Sequence, residues 1–201
     1  MARVAIIVEE GFEDADLRVP YERLRRAGHE VVVVGREVGK TLTGKGRAAE
    51  ITTARSIREA AARDFDALVI PGGHSPDELR TDPLMVEFTR QMFDAGKPVA
   101  ANGHAGALLI EAEVVEDRTL TSWPSIRTDL VNAGARWVDE PLVEDGSLIT
   151  ARRPEDLEAF CDAVLRQLEG RIPERIHAPR PPDAEDADEV CDGDPLEPPI
   201  H

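Results

Sequence analysis

A chain of 201 residues, 41% of them hydrophobic, is about one domain long and can bury a substantial core. Its 40 Asp and Glu outweigh 24 Lys and Arg, only three of them Lys, and a net charge of −16 argues against nucleic acid or an anionic membrane as partner. No 18-residue apolar run and no leading apolar segment occur, and the two cysteines show neither a disulfide framework nor a zinc-type spacing. The expectation is a protein of a reducing cytoplasm without signal peptide or membrane span. An acidic, Lys-poor surface suits a high-salt cytoplasm as well as an ordinary acidic protein from an Arg-rich proteome.

Residues 3 to 8 form a continuous apolar run, which predicts a strand buried on both faces of a parallel sheet. Residues 14 to 27 read as a helix closed by Gly28, and residues 30 to 34 as a second buried strand. This βαβ start predicts a parallel sheet flanked by helices. Glycines at 39, 44 and 46 suggest a turn-rich excursion with one short edge strand, and the Ala-rich residues 55 to 63 read as a helix. A third buried strand, residues 65 to 70, is broken by Pro71-Gly72-Gly73. Asp82-Pro83 then opens a helix reaching residue 95.

The chain is organised around residues 98 to 110, where a short strand turns into a helix from about Ala105 within three residues, Asn102, Gly103 and His104. Such a strand–turn–helix is a nucleophile elbow, which lifts one side chain above the sheet at a helix N-terminus. Its apex here is Gly103, not Cys or Ser. Further on, residues 118 to 122 and 136 to 138 read as strands flanking a helix at 126 to 133, and Asp145-Gly146 marks a hairpin. The last helix, residues 154 to 169, places Leu157, Phe160, Cys161, Val164, Leu165 and Leu168 on one face, so Cys161 is expected to be a core thiol. From 171 onward seven prolines and nine acids mark a disordered acidic tail, which holds Cys191. The division is therefore a domain at 1–170 and a tail at 171–201.

Three segments together resemble the PfpI family, the intracellular-protease branch of the class I glutamine amidotransferase-like superfamily that includes the parkinsonism-associated deglycase. They are Asp66-Ala-Leu-Val-Ile-Pro-Gly-Gly-His-Ser-Pro-Asp77, the elbow, and the stretch from Leu120 to Val138 that begins Leu-Thr-Ser-Trp-Pro-Ser-Ile-Arg. The resemblance covers roughly residues 3 to 168. It implies a flavodoxin-like three-layer sandwich, a mostly parallel sheet with helices on both faces, assembled as a homo-oligomer, a dimer or a trimer of dimers. It also implies peptidase, glyoxalase or deglycase activity resting on an elbow cysteine, with no cofactor. Glu13 matches the family glutamate beside the nucleophile, His104 the histidine after it, and Asp77 an acid that completes a triad across a subunit interface. Gly73 and His104 would offer backbone N–H groups resembling an oxyanion hole. The family pattern Ile-Cys-His-Gly is here Asn102-Gly103-His104-Ala105, which removes the nucleophile.

Each of these residues has a plainer role open to it. Glu13 can cap its helix, and His104 can hold an interface. Trp123 can wall the pocket or face a partner subunit. His74 stands beside Gly73 as a binding residue, and with His104, Glu13 and Asp77 matches no metal motif, so no metal is expected. Without a thiolate, covalent catalysis fails. The expectation is a non-catalytic oligomeric relative that binds a small carbonyl-type molecule or a partner. The alternative is an enzyme in which His104 and Glu13 run acid–base chemistry on a carbonyl or peptide substrate.

Overall fold

The computed structural model describes residues 1–176. Its core starts from two apolar strands, β1 (Arg3–Ile7) and β2 (Glu30–Gly35), which pair in parallel across the crossover helix α1 (Asp14–Arg26). After β2 comes a small antiparallel hairpin, β3 (Thr41–Thr43) and β4 (Glu50–Thr52), then the edge strand β5 (Arg55–Ser56). β6 (Ala67–Ile70) leads into helices α2 (Ser75–Leu79) and α3 (Pro83–Asp94), and β7 (Val99–Asn102) into α4 (Gly106–Glu111). β8 (Thr119–Leu120), α5 (Arg127–Asn132) and β9 (Arg136–Trp137) precede the hairpin β10 (Leu142–Asp145) and β11 (Leu148–Ala151), and α6 (Leu157–Leu168) closes the fold.

The main sheet has seven strands in the order β10-β11-β7-β6-β1-β2-β5, all neighbours parallel except the β10–β11 hairpin. Alternation along β1 divides the core. Val4 and Ile6 pack with Leu17 and Leu24 of α1 and with Phe160, Cys161 and Val164 of α6. Ala5 and Ile7 face the other layer, with Leu79 of α2, Met85 and Met92 of α3, Leu108 of α4 and Leu130 of α5. This is the flavodoxin-like sandwich implied by the motifs. Fully burying each large apolar side chain stabilises it by roughly 1.5–3 kcal/mol.

Two local expectations change, and two further features come only with the structure. Residues 55 to 63 form no long helix: Arg55 and Ser56 pair with the end of β2, Ile57 donates its N–H to Gly35 O at 2.8 Å, and only a 3-10 turn follows at Ala62–Asp64. An open sheet edge outweighs the helix preference of alanine there. The glycine-rich excursion holds two strands, because the turn between them wraps Asp14, whose carboxylate accepts the N–H groups of Gly46, Ala48 and Ala49 at 2.6–2.8 Å. Helix α2 has no counterpart in the sequence reading. β8 and β9, both expected as strands, pair with each other in a parallel ribbon separate from the main sheet.

Beyond α6, residues 171 to 176 carry no helix or strand, yet Ile176 N–H donates to Asp145 Oδ1 at 2.9 Å and Arg175 to Asp117 O at 2.9 Å. The chain is therefore anchored to the sheet as far as 176. Cys191 and the rest of the expected tail lie outside the described residues. Among the described residues no helix is long and apolar enough to cross a membrane.

Candidate active site at the strand–helix elbow

The site begins with strand register. Ile70 of β6 stands level with Ala101 of β7, so the loops after both strands leave the sheet side by side at its C-terminal edge, where open α/β sheets hold their ligands. The loop after β1 closes on them: Glu13 N–H donates to Gly72 O at 3.0 Å and His74 N–H to Gly11 O at 2.8 Å. Gly73 makes this approach possible. It has φ +84°, and a Cβ on it would lie 2.4 Å from Glu13 N.

Gly103, at the apex, has φ +60°. A Cβ built on it would touch Arg152 O at 3.5 Å, Asp16 Oδ2 at 3.7 Å and Gly72 Cα at 3.9 Å, all ordinary contacts. The elbow turn is a 3-10 turn over Gly103–Ala105, so α4 itself starts only at Gly106. The acid facing the apex is thus Asp16. Glu13, one helical turn before it, lines the same cleft, but its carboxylate pairs with Lys45 Nζ at 2.7 Å. The cleft, about 360 Å³, is bounded by these acids, Lys45, Gly73, His104, Trp123 and Arg152.

Asp16 is 3% exposed and Asn102 behind it 1%. Asp16 Oδ2 accepts the Gly72 N–H at 3.1 Å, while its Oδ1 and both amide atoms of Asn102 have no hydrogen-bond partner. Burial pushes the Asp16 carboxyl up to about 7, the charge of Glu13 pushes the same way, and the Gly72 N–H and the nearby Asn102 amide pull it back. A carboxyl poised between its two forms at neutral pH therefore faces the apex.

His104 Nε2 is hydrogen-bonded to Ser125 Oγ at 2.9 Å, and its ring lies 6.4 Å from that of Trp123 at 32°. Burial lowers its pKa, with Lys45 and His74 adding and Asp77 opposing, so the neutral ring dominates at pH 7. Asp77 shares with His104 a second groove, lined also by Arg80, Ser125 and Asp129, within the same chain. Asp77 and His104 make no direct hydrogen bond among the described residues. Trp123 is 42% exposed, and its backbone N–H donates to Gly103 O at 3.1 Å, which ties it to the elbow as a wall of the cleft. His74 instead lines a neighbouring depression with Glu10, Lys45 and Arg47. Among the described residues no group of three or more His, Cys, Asp or Glu is arranged to hold a metal. Cys161 is buried on α6, its thiol pushed up to about 12 by burial.

Asp16, Lys45 and Arg152 belong to the cleft and are absent from the sequence reading. Asp16 carried a signal: the buried positions of α1 are Asp16, Leu17, Pro20 and Leu24, so an acid sits on the apolar face of an amphipathic helix. Arg152 follows β11, the neighbour of β7, and so emerges beside the elbow. Lys45 gave none, because its place depends on the hairpin turn around Asp14.

The DJ-1/PfpI family pattern matches residues 2–167. The chain is 44% identical over 167 residues to protein/nucleic acid deglycase 2 of Escherichia coli, covering 83% of this chain and 97% of that protein. It is 43% identical over 168 residues to general stress protein 18 of Bacillus subtilis, with 83% and 98% covered. Among solved structures, Drosophila melanogaster DJ-1beta aligns with a TM-score of 0.78 at 29% identity, over 85% of this chain and 91% of that one.

Proposed function

This chain belongs to the DJ-1/PfpI family, and from that membership we propose that its elbow cleft binds small carbonyl compounds without a covalent thiol step. One observation carries the reading: the apex of an intact elbow is Gly103, with φ +60° and no side chain to attack a carbonyl. Cys161 does not replace it, being buried on another helix with its thiol pushed up to about 12. The E. coli relative's name, a deglycase, supports a carbonyl-derived ligand. Lys45, Arg152, Trp123 and the backbone of Gly73 bound the site where such a ligand would lie. The chain would work as a homo-oligomer, a dimer or trimer of dimers, in the cytoplasm.

Titration with methylglyoxal, followed by NMR and intact-mass spectrometry, tests this. Saturable binding that broadens or shifts elbow resonances without a mass adduct at residues 98–110 supports it. A stable adduct in the elbow, or no binding at millimolar concentration, overturns it. Sedimentation as a monomer at micromolar concentration removes the oligomer. A second reading, turnover through Glu13 and His104, is weakened by geometry: Glu13 is held by Lys45, and His104 Nε2 by Ser125.

A further inference from the structure

We propose that Arg153 makes the cleft selective for carbonyl compounds that carry a carboxylate, small α-oxo acids, by pairing with that carboxylate beside Gly103. This names the ligand class of the site and rests on the cleft's taking a carbonyl compound.

Three permanent cations line the cleft, Lys45, Arg152 and Arg153, and two of them are already committed. Lys45 Nζ holds the Glu13 carboxylate at 2.7 Å. Arg152 is clasped between Asp139 at 2.7 Å and Asp156 at 3.1 Å, with 13% of its side chain exposed. Arg153, exposed at the rim, has neither an ion pair nor a side-chain hydrogen bond among the described residues.

The grip on its neighbour gives Arg153 a fixed base. The two acids hold Arg152, and with it the backbone that leaves β11. At Arg153 the chain is extended, with φ −158° and ψ 171°, so consecutive side chains diverge before a 3-10 turn begins at Pro154. The peptide bond joining the two arginines carries Arg152 O, which stands 3.5 Å from where a Cβ of residue 103 would lie. An uncommitted guanidinium is thus tethered one peptide from the apex. A carboxylate one bond away from a carbonyl carbon, bound by that guanidinium, would place the carbonyl over Gly103. Arginine suits this task because its planar fork meets a carboxylate through two parallel N–H bonds.

The acids of the cleft do not cancel this charge. Glu13 is neutralised by Lys45, and Asp16 is buried with its carboxyl at about 7, so it is only partly charged at neutral pH. Glu155 is exposed and makes no ion pair with Arg153 among the described residues, and water and salt screen it. The net charge of −16 repels every anion alike, so a preference for one carboxylate must come from a local group.

The experiment titrates the full-length protein with glyoxylate, methylglyoxal and acetate, and follows the Arg153 side-chain Nε–H by NMR. Glyoxylate is expected to bind about 10-fold more tightly than methylglyoxal and to shift that resonance, with the preference fading at high salt. Arg153→Ala is expected to bring the ratio of the two affinities close to one. Arg153→Lys, which keeps the charge but not the fork, is expected to retain part of it. Melting curves establish that both variants fold. Equal binding of glyoxylate and methylglyoxal to the wild type overturns the selectivity and leaves the carbonyl-binding reading standing, whereas binding of neither sinks the two together. Acetate bound as tightly as glyoxylate reveals an anion site indifferent to the carbonyl and overturns the proposal. A preference kept in full by folded Arg153→Ala overturns the assignment to Arg153.

Discussion

Two buried aspartates stand level with opposite ends of strand β7 and have opposite fates. Asp145 is paired with Leu148, which is level with Val99 at the start of β7; Asp16 faces Gly103, just past its end. Asp145 is 0% exposed, with Oδ2 accepting the Thr119 N–H at 2.8 Å, Oδ1 accepting the Ile176 N–H at 2.9 Å, and Arg118 and Arg175 about 4 Å away. Asp16 has one N–H partner, an unused oxygen and a like charge one turn away. A carboxylate whose oxygens are both satisfied holds loops together. One left half satisfied at a strand end is available for chemistry, and the fold carries its cost.

Removing each group is the most direct way to break this contrast. Asp145→Ala strips the acceptor from two backbone N–H groups and the counter-charge from Arg118, which is largely buried. A loss of about 3–5 kcal/mol is expected on denaturant unfolding, since truncating one partner of a buried pair strands the other. Asp145→Asn, which keeps one acceptor, should lose less. Loss below about 1 kcal/mol for the alanine variant would mean that Asp145 is not the fastening described here.

Asp16→Asn should act in the other direction. The Asp16 carboxyl stands at about 7 in the folded chain against an ordinary 3.8, so between those values the folded state binds more protons than the unfolded one. Stability therefore falls as pH rises through that window, and the full penalty is present above about 7. At about 1.4 kcal/mol per unit, the three-unit shift sets an upper figure of about 4 kcal/mol. The amide oxygen of the substituted side chain can still accept the Gly72 N–H, while the charge is gone. Urea midpoints of the two proteins should coincide below about pH 4 and diverge above, with the variant more stable at pH 8. A variant less stable at pH 8 would make Asp16 a structural group like Asp145.

The contrast also marks where sequence reading succeeds. Buried parallel strands were legible because residues 3 to 8 and 65 to 70 are continuous apolar runs, and the elbow because a strand, three turn residues and a helix leave the backbone little freedom. Gly73 was legible as a turn, though not as the point where the loop after β6 meets the loop after β1. Residues 55 to 63 misled because alanine content reports local preference, and the partner that overrides it, the end of β2, is distant in sequence. Glu13 drew attention through the family motif. Asp16, three residues on, shares its turn, but which of two acids faces the apex is settled by the rotation of α1 on the sheet. The same motif assigns Asp77 to a neighbouring subunit's histidine, yet Asp77 already shares a groove with its own His104.

Gly103 sharpens the picture of the elbow end. Its φ of +60° is a region that side-chain-bearing residues enter at about 1–2 kcal/mol, and its prospective contacts at 3.5–3.9 Å add no clash. Gly103→Ala and Gly103→Cys should each lower stability by that amount in thermal or denaturant melts. The new thiol of the cysteine variant should be open to labelling, with Cys161 and Cys191 removed as background, because its seat opens to the cleft. Its thiolate lies near Asp16 and Glu13, whose negative charge raises its pKa, so labelling should quicken with rising pH. A folded variant whose thiol resists labelling would show that the apex does not face the cleft.

The smallest effect tests the Asp145 end through the chain that leaves it. A protein ending at 176 keeps the Ile176 N–H on Asp145 and Arg175 on Asp117 O, whereas one ending at 170 loses both. Asp145 then retains Thr119 and Arg118, and water can reach the oxygen that Ile176 covered, so the loss should stay near one hydrogen bond to a charged group, about 1–2 kcal/mol. The measurement is the difference in unfolding free energy between the two truncations, which cancels whatever residues 177 to 201 contribute. The same difference should shrink in an Asp145→Ala background to what the Arg175–Asp117 O bond alone contributes, because the Ile176 anchor is then already gone. If the difference is undiminished there, residues 171 to 176 are not held by this carboxylate, and Asp145 serves β10 and Thr119 alone.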